Sequence, residues 1–409
     1  MATSRKDSKG RVLRKGETQR ASDGKYMYVY RDVLGRRRYI YSNDLMKLRE
    51  REKKVQRDVD DGIDTYTASK RDLNYLFDCY MATKVNLRRT TRTTYTYTYD
   101  RYVRETIGKK MIISIKYSDI MRFYKHLLVD RGLSITSVKR VHELLQPAFD
   151  LGVRDELIRH NPCKGTIKAL IRDTGARPNK RFALTNEQQT AFINYMVGSP
   201  VFTRWTSLLV FLFGTGCRIG EVVGIRWEDI DFEKKRISIN HTLSYRPCVD
   251  NDKKCIFMVD PPKSDAGNRM IPMTTDVYET MKHEYEVQQE NGFNDLQVDG
   301  MSGFVFSNRF GNLYTLNAVN KAIQSIRTAY NEEEMFSAIK EKREPVLIPH
   351  FSCHVIRHTF ATRLCEVESN LKVIQTIMGH SDIRTTMEIY AEATEAGMEE
   401  AMDRLSEKM

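Results

Sequence analysis

At 409 residues, 41% apolar and 29% charged, the chain is long enough for two or three domains of about 150 residues and too apolar for a disordered protein, a collagen or a small disulfide scaffold. Lysine and arginine (66) outnumber aspartate and glutamate (54) by 12, which points to an anionic partner, either nucleic acid or a membrane surface. The excess is uneven: residues 1–180 carry 41 basic and 22 acidic side chains, net +19, while the remaining 229 carry 25 and 32, net −7. The first part therefore reads as a half that holds a polyanion, the second as a half with another task.

In chain order, the polar start Met1-Ala2-Thr3-Ser4-Arg5-Lys6-Asp7 has no apolar stretch behind it and does not read as a secretory signal. Around Gly35, Tyr26-Met27-Tyr28-Val29-Tyr30 and Arg36-Arg37-Arg38-Tyr39-Ile40-Tyr41 alternate as a β-hairpin does, with Arg36, Arg37 and Arg38 as candidate DNA contacts on its edge. A charged helix is predicted over Leu45–Val59, stopped by Asp60-Asp61-Gly62. Several helices follow over 71–165, with Ser118 and Ser134 as N-caps and Asn161-Pro162 as a stop. Within them Thr93-Thr94-Tyr95-Thr96-Tyr97-Thr98-Tyr99 alternates like a strand, yet Tyr95, Tyr99 and Tyr102 share a helical face, and the helical neighbours favour helix.

Residues 171–181 contain Gly, Pro and charge without apolar period and read as a linker. Thr185-Asn186-Glu187-Gln188 then matches a capping box. Beyond it come a buried helix at Leu208–Phe213, strands near Arg236–Leu243, a hairpin over Ile256–Met273, and mostly helices. Leu208–Phe213 is the longest apolar run, far short of the roughly 18 to 20 residues of a membrane span. Seven cysteines between Cys79 and Cys365, odd in number and without a Cys-x-x-Cys pair, suit a reducing cytoplasm. Domains are expected over 1–68, 69–170 and 182–409. The fold class is a multidomain α+β chain: a small N-terminal β-sheet domain, an all-α domain, and a mainly α domain with a small antiparallel sheet.

The last domain holds the residues that can do chemistry. Thr215-Gly216-Cys217-Arg218-Ile219-Gly220-Glu221 places Arg218 at a helix start, where a side chain can face an anion, with Glu221 three residues on to fix its guanidinium. The motif lacks the Gly-Lys-Ser/Thr ending of a phosphate-binding P-loop. Four of the nine histidines, His350, His354, His358 and His380, fall within 31 residues. On a helix His354 and Arg357 share a face, with His358 beside them. A solvated polar face and an anion site both fit. Zinc fits less well, because Val355 stands where His-Glu-x-x-His would carry its glutamate. Cys217 and Cys353 read as small core residues.

Downstream, Gly379-His380 and Tyr390 complete a set with Arg218, His354 and Arg357 that resembles the tyrosine recombinase (phage integrase) family: Arg, Lys, His-x-x-Arg, Gly-His, Tyr. Lys263, in Pro261-Pro262-Lys263-Ser264-Asp265-Ala266-Gly267-Asn268-Arg269, stands where the family keeps its catalytic lysine. The pattern spans about 182–395. Residues 71–165 resemble the family's helical core-binding domain, and the Asp23-Gly24-Lys25-Tyr26 hairpin resembles the three-stranded arm-binding domain of conjugative-transposon integrases. Met378 before Gly-His and Ala391-Glu392 after the tyrosine depart from the common pattern without removing a catalytic group.

The resemblance implies site-specific integration and excision through a 3′-phosphotyrosine, with Arg218 and Arg357 clamping the phosphate and Tyr390 as nucleophile. It further implies that Lys263 protonates the departing 5′-oxygen, that His354 and His380 assist, and that no metal or ATP takes part. Partners implied are duplex attachment sites, three more copies of the chain in a tetrameric synapse, an excisionase and a host DNA-bending factor. A C-terminal helix over 391–409, with Met398, Ala401, Met402 and Leu405 at helical spacing, would cap its own domain or dock on a neighbour. A non-catalytic DNA-binding regulator, a metal-dependent nuclease using the histidines, and a topoisomerase of the related tyrosine class remain as alternatives.

Overall fold

The computed structural model describes residues 5–177, 182–247, 255–262 and 264–391. It divides into two compact units, Met1–Asn179 and Lys180–Met409.

The first unit opens with an antiparallel sheet of β1 (Glu17–Gln19), β2 (Tyr26–Arg31) and β3 (Arg37–Ser42), in that order. The hairpin's alternation turns Tyr26 and Tyr28 inward, where Leu45 and Leu48 of α1 (Leu45–Asp60) close over them. Buried Glu17 accepts the Arg49 guanidinium at 2.8 Å and locks α1 to the sheet. At the far end of α1, Asp58 takes Arg159 at 2.7 Å and the Asp64 N–H donates to Glu156 O at 2.8 Å, which joins this sheet to the helices that follow.

Those helices are α2 (Thr65–Lys70), α3 (Leu73–Ala82), α4 (Arg89–Tyr99), α5 (Tyr117–Lys125), α6 (Ile135–Arg154) and α7 (Thr166–Thr174), with π-helical turns at Asp100–Arg104 and His126–Asp130. The Thr/Tyr segment is helical. Thr93 and Thr94 turn their hydroxyls back onto the carbonyls of Arg89 and Thr90, while fully buried Tyr99 stacks on Phe77 with ring centroids 3.6 Å apart. A helical period of burial thus overrides strand propensity. Tyr99→Ala should cost about 3 kcal/mol, whereas Tyr97→Ala, on the exposed side, should stay within about 0.5 kcal/mol. Urea denaturation of the two variants measures the difference, and equal costs would contradict the packing.

Two details differ from expectation. Helix α5 is capped at Lys116, whose N–H donates to the Asp119 carboxylate at 2.9 Å, so Ser118 lies inside the helix. Ser134 does cap α6. Helix α7 runs four residues into the expected linker, because Leu170 and Ile171 pack on the helical core and only the left-handed Gly175 ends it.

In the second unit the capping box opens α8 (Asn186–Gly198), with Thr185 and Gln188 bonded reciprocally. Helix α9 (Thr206–Thr215) buries Leu208, Leu209, Phe211, Leu212 and Phe213. Around it pack α10 (Ile219–Gly224), α11 (Thr275–Asn291) and α13 (Cys353–Val367), with α12 (Leu316–Glu341) against α8 and α14 (Leu371–Met378) against α13. The strands are β4 (Ile230–Asp231), β5 (Arg236–Ile239), β6 (Thr242–Pro247), β7 (Cys255–Asp260) and β8 (Arg269–Pro272).

Their pairing corrects the expected hairpin over 256–273. Strand β7 pairs with β6 as a separate ribbon, and β8 returns to β5 in a β4-β5-β8 sheet. The break lies at Asn240-His241: buried His241 turns off the strand, with its Nε2 2.6 Å from Gly224 O. Ile237, Ile239 and Ile271 then fill the main core from β5 and β8.

Candidate active site

Arg218 sits where α9 turns into α10. Gly216 ends α9 in the left-handed region (φ 58°), and a Cβ there would stand 2.2 Å from the Phe360 ring of α13, so only glycine permits this close turn. Arg218 follows as N-cap of α10. Its Nη1 donates to Glu221 Oε1 at 2.8 Å and its backbone N–H to Glu221 Oε2 at 2.9 Å. Burial alone would raise the Glu221 carboxyl, but Arg269, Arg218 and the Arg218 N–H outweigh it and hold the group below the ordinary carboxylate range.

Arg357 lies on α13, buried, with Nη1 on Gly216 O at 2.8 Å and Nη2 on Met378 O at 2.5 Å. Burial first, and then the neighbouring Arg218, bring its pKa down to about 10, so it is still charged at neutral pH. His354, three residues earlier, is exposed, whereas His358 is buried. Ser352 supplies no side-chain cap to α13; Asn320 of α12 does so instead, its Oδ1 accepting the Cys353 N–H at 3.0 Å. His350 lies before the helix and is exposed.

Helix α14 ends in left-handed Gly379 (φ 62°), followed by buried His380, whose Nδ1 is 3.0 Å from the buried Thr386 hydroxyl. Three consecutive carbonyls at this helix end each meet a different guanidinium: Ile377 O takes Arg269 Nε at 2.8 Å, Met378 O takes Arg357, and Gly379 O takes Arg218 Nη2 at 2.9 Å. A helix C-terminus carries about half a negative charge on such carbonyls, which offsets the repulsion of the gathered cations. Tyr390, in helical backbone over 383–391, packs half-buried against a cluster of Ala361, Cys365, Ile374, Met378 and Ile389.

The structure therefore brings Arg218, Glu221, Arg357 and the Gly379-His380 turn together, with His354 on the same helix as Arg357. Lys263 and the expected C-terminal helix fall outside the described residues. Among the proposed DNA contacts, Arg36 and Arg37 are exposed on the hairpin. Arg38 donates to Asp32 at 2.7 Å and lies over the Tyr66 ring at 3.5 Å, so an internal carboxylate and ring orient it on the same hairpin. Three participants were not expected: Arg269, Thr386 and Asn320. Arg269 carried a signal, because Arg269-Met270-Ile271-Pro272 alternates so that the arginine points inward with Ile271, and an inward charge requires a partner. Among the described residues, no three His, Cys, Asp or Glu side chains gather as a metal site would require.

Residues 183–396 match the phage integrase family, and residues 1–59 match the DNA binding domain of Tn916 integrase. The transposase from transposon Tn1545 of Streptococcus agalactiae is 29% identical over 423 residues, spanning 100% of this chain and 98% of that protein. The transposase from transposon Tn916 of Enterococcus faecalis is 28% identical with the same coverage. A structure of the Tn1549 transposon integrase in complex with transposon right end DNA is 26% identical, with a TM-score of 0.69 over 82% of this chain and 99% of that one. No single described helix is long and apolar enough to cross a membrane.

Proposed function

From the premise that the chain belongs to the phage integrase family, the tyrosine recombinases, we propose that it is the integrase of a conjugative transposon, cutting and rejoining duplex DNA at the element's ends. Its partner is DNA, in keeping with the Tn1549 integrase complex and with the net +19 on residues 1–180. The observation that carries the reading is the cluster of guanidiniums gathered on the Ile377-Met378-Gly379 carbonyls beside His380. That arrangement suits a bound phosphodiester, which gains negative charge as it becomes five-coordinate.

In this reading Arg218 and Arg357 hold the non-bridging oxygens of the scissile phosphate. The Tyr390 oxygen attacks phosphorus, a tyrosyl–phosphate ester forms, and the bond to the 5′-oxygen breaks. The phenolic proton passes into the site, where His354 and His380 assist, and the departing 5′-oxygen receives a proton from Lys263. A 5′-hydroxyl of the other duplex then reverses the step. The ester conserves the bond energy of the phosphodiester, and rejoining needs no ATP.

The assembly we propose is a tetramer across two DNA sites in the cytoplasm, with an excisionase and a host DNA-bending factor setting direction and Arg36 and Arg37 touching arm-site DNA. Nicked attachment-site DNA incubated with the protein in EDTA tests the chemistry. A covalent protein–DNA adduct on a denaturing gel is expected; a band-shift without an adduct would leave a non-catalytic regulator, and cleavage only with added Mg²⁺ or Zn²⁺ would mean a nuclease.

A further inference from the structure

Arg269 is almost wholly buried, its side chain 2% exposed. A charge taken out of water is retained only where it has partners on every side. Its four partners come from three segments of the site. Nη2 donates to Glu221 Oε2 at 2.9 Å and faces Cys217 Sγ at 3.6 Å. Nε donates to Ile377 O at 2.8 Å, and Nη1 to Gly267 O at 3.2 Å. A Cβ on Gly379 would stand 2.8 Å from Arg269 Nη1 and 3.0 Å from Ala266 O, so the Gly-His turn lies directly on this side chain.

Glu221 joins the two arginines: Oε1 takes the Arg218 guanidinium, and Oε2 takes Arg269 together with the Arg218 backbone N–H. Moving Arg269 would therefore move the carboxylate that aims Arg218 and, through Ile377, the helix end that orients Arg218 and Arg357. We infer that Arg269 is a positioning residue of the phosphate clamp, a third guanidinium that never meets DNA and holds Arg218 and the Gly379-His380 turn in register. This rests on Arg218 being a clamp residue.

The test compares adduct formation by wild type, Arg269→Met and Arg218→Ala on nicked attachment-site DNA carrying either a normal scissile phosphate or a methylphosphonate. The methylphosphonate lacks the negative charge that the clamp exists to neutralise, so it relieves a clamp defect and leaves other defects untouched. Arg269→Met should band-shift DNA as wild type does and form adduct about 10²-fold more slowly on the phosphate. On the methylphosphonate most of that gap should close, in parallel with Arg218→Ala. An equal gap on both substrates, or none on the phosphate, overturns the role. If the loss of one Glu221 partner unfolds the single variant, Arg269→Met with Glu221→Gln removes that charge and must show the same closing gap. A wild-type protein silent on both substrates would sink the assigned reaction, and is distinguishable because its own lane reports it.

Discussion

A Tyr390→Phe protein is expected to bind attachment-site DNA as the parent does and to form no covalent adduct at all. The substitution removes one oxygen and leaves the ring, so the packing of the helix over 383–391 on the cluster of Ala361, Ile374, Met378 and Ile389 is kept. The loss would therefore be chemical. The nearest alternative nucleophiles in sequence to the clamp residues, Cys217 and Cys353, are buried, and burial pushes their thiols up to about 11 and about 12, so both are protonated at neutral pH. A denaturing gel of nicked DNA with both proteins decides. An adduct that survives in Tyr390→Phe would mean that another side chain attacks phosphorus, and the reading of Tyr390 would fall.

What was legible from sequence was local. Thr185 with Gln188, and Ser134 before α6, cap their helices because a hydroxyl three residues from a free N–H needs nothing distant to act. The Arg218 turn was legible for the same reason: glycine, then arginine, then glutamate at helical spacing fixes the pair within one turn. Strand partnership was not legible. Nothing in Ile256–Met273 reveals that β7 will pair with residues before it and β8 with β5, since the choice depends on Asn240-His241 leaving the strand to reach Gly224. The role of Arg269 was not legible because its partners lie 48 and 108 residues away. The partner of Arg38 was not legible either, since nothing in the basic run shows that Asp32, six residues before it, takes the guanidinium.

Replacing Arg357 by lysine should be the most damaging change that keeps a positive charge in the site. Arg357 divides its donors between Gly216 O and Met378 O, and so ties the α9 end to the α14 end while its fork stays planar. An ammonium offers no such fork. Lost transition-state contact and lost placement together should slow adduct formation about 10³-fold at pH 7, or about 4 kcal/mol. The pH dependence is the sharper test. Burial and the nearby Arg218 bring Arg357 down to about 10. The same surroundings would hold a lysine at a lowered value, beneath its ordinary figure of about 10.4. Because the neutral amine forms above that value, Arg357→Lys should lose further activity as pH rises from 7 to about 9, while wild type, charged until about 10, should hold its charge over that interval. Adduct rates on nicked DNA at several pH values in this range measure it. A flat ratio of variant to wild type would mean that the lysine has found solvent, and that the site around Arg357 is more open than its burial implies.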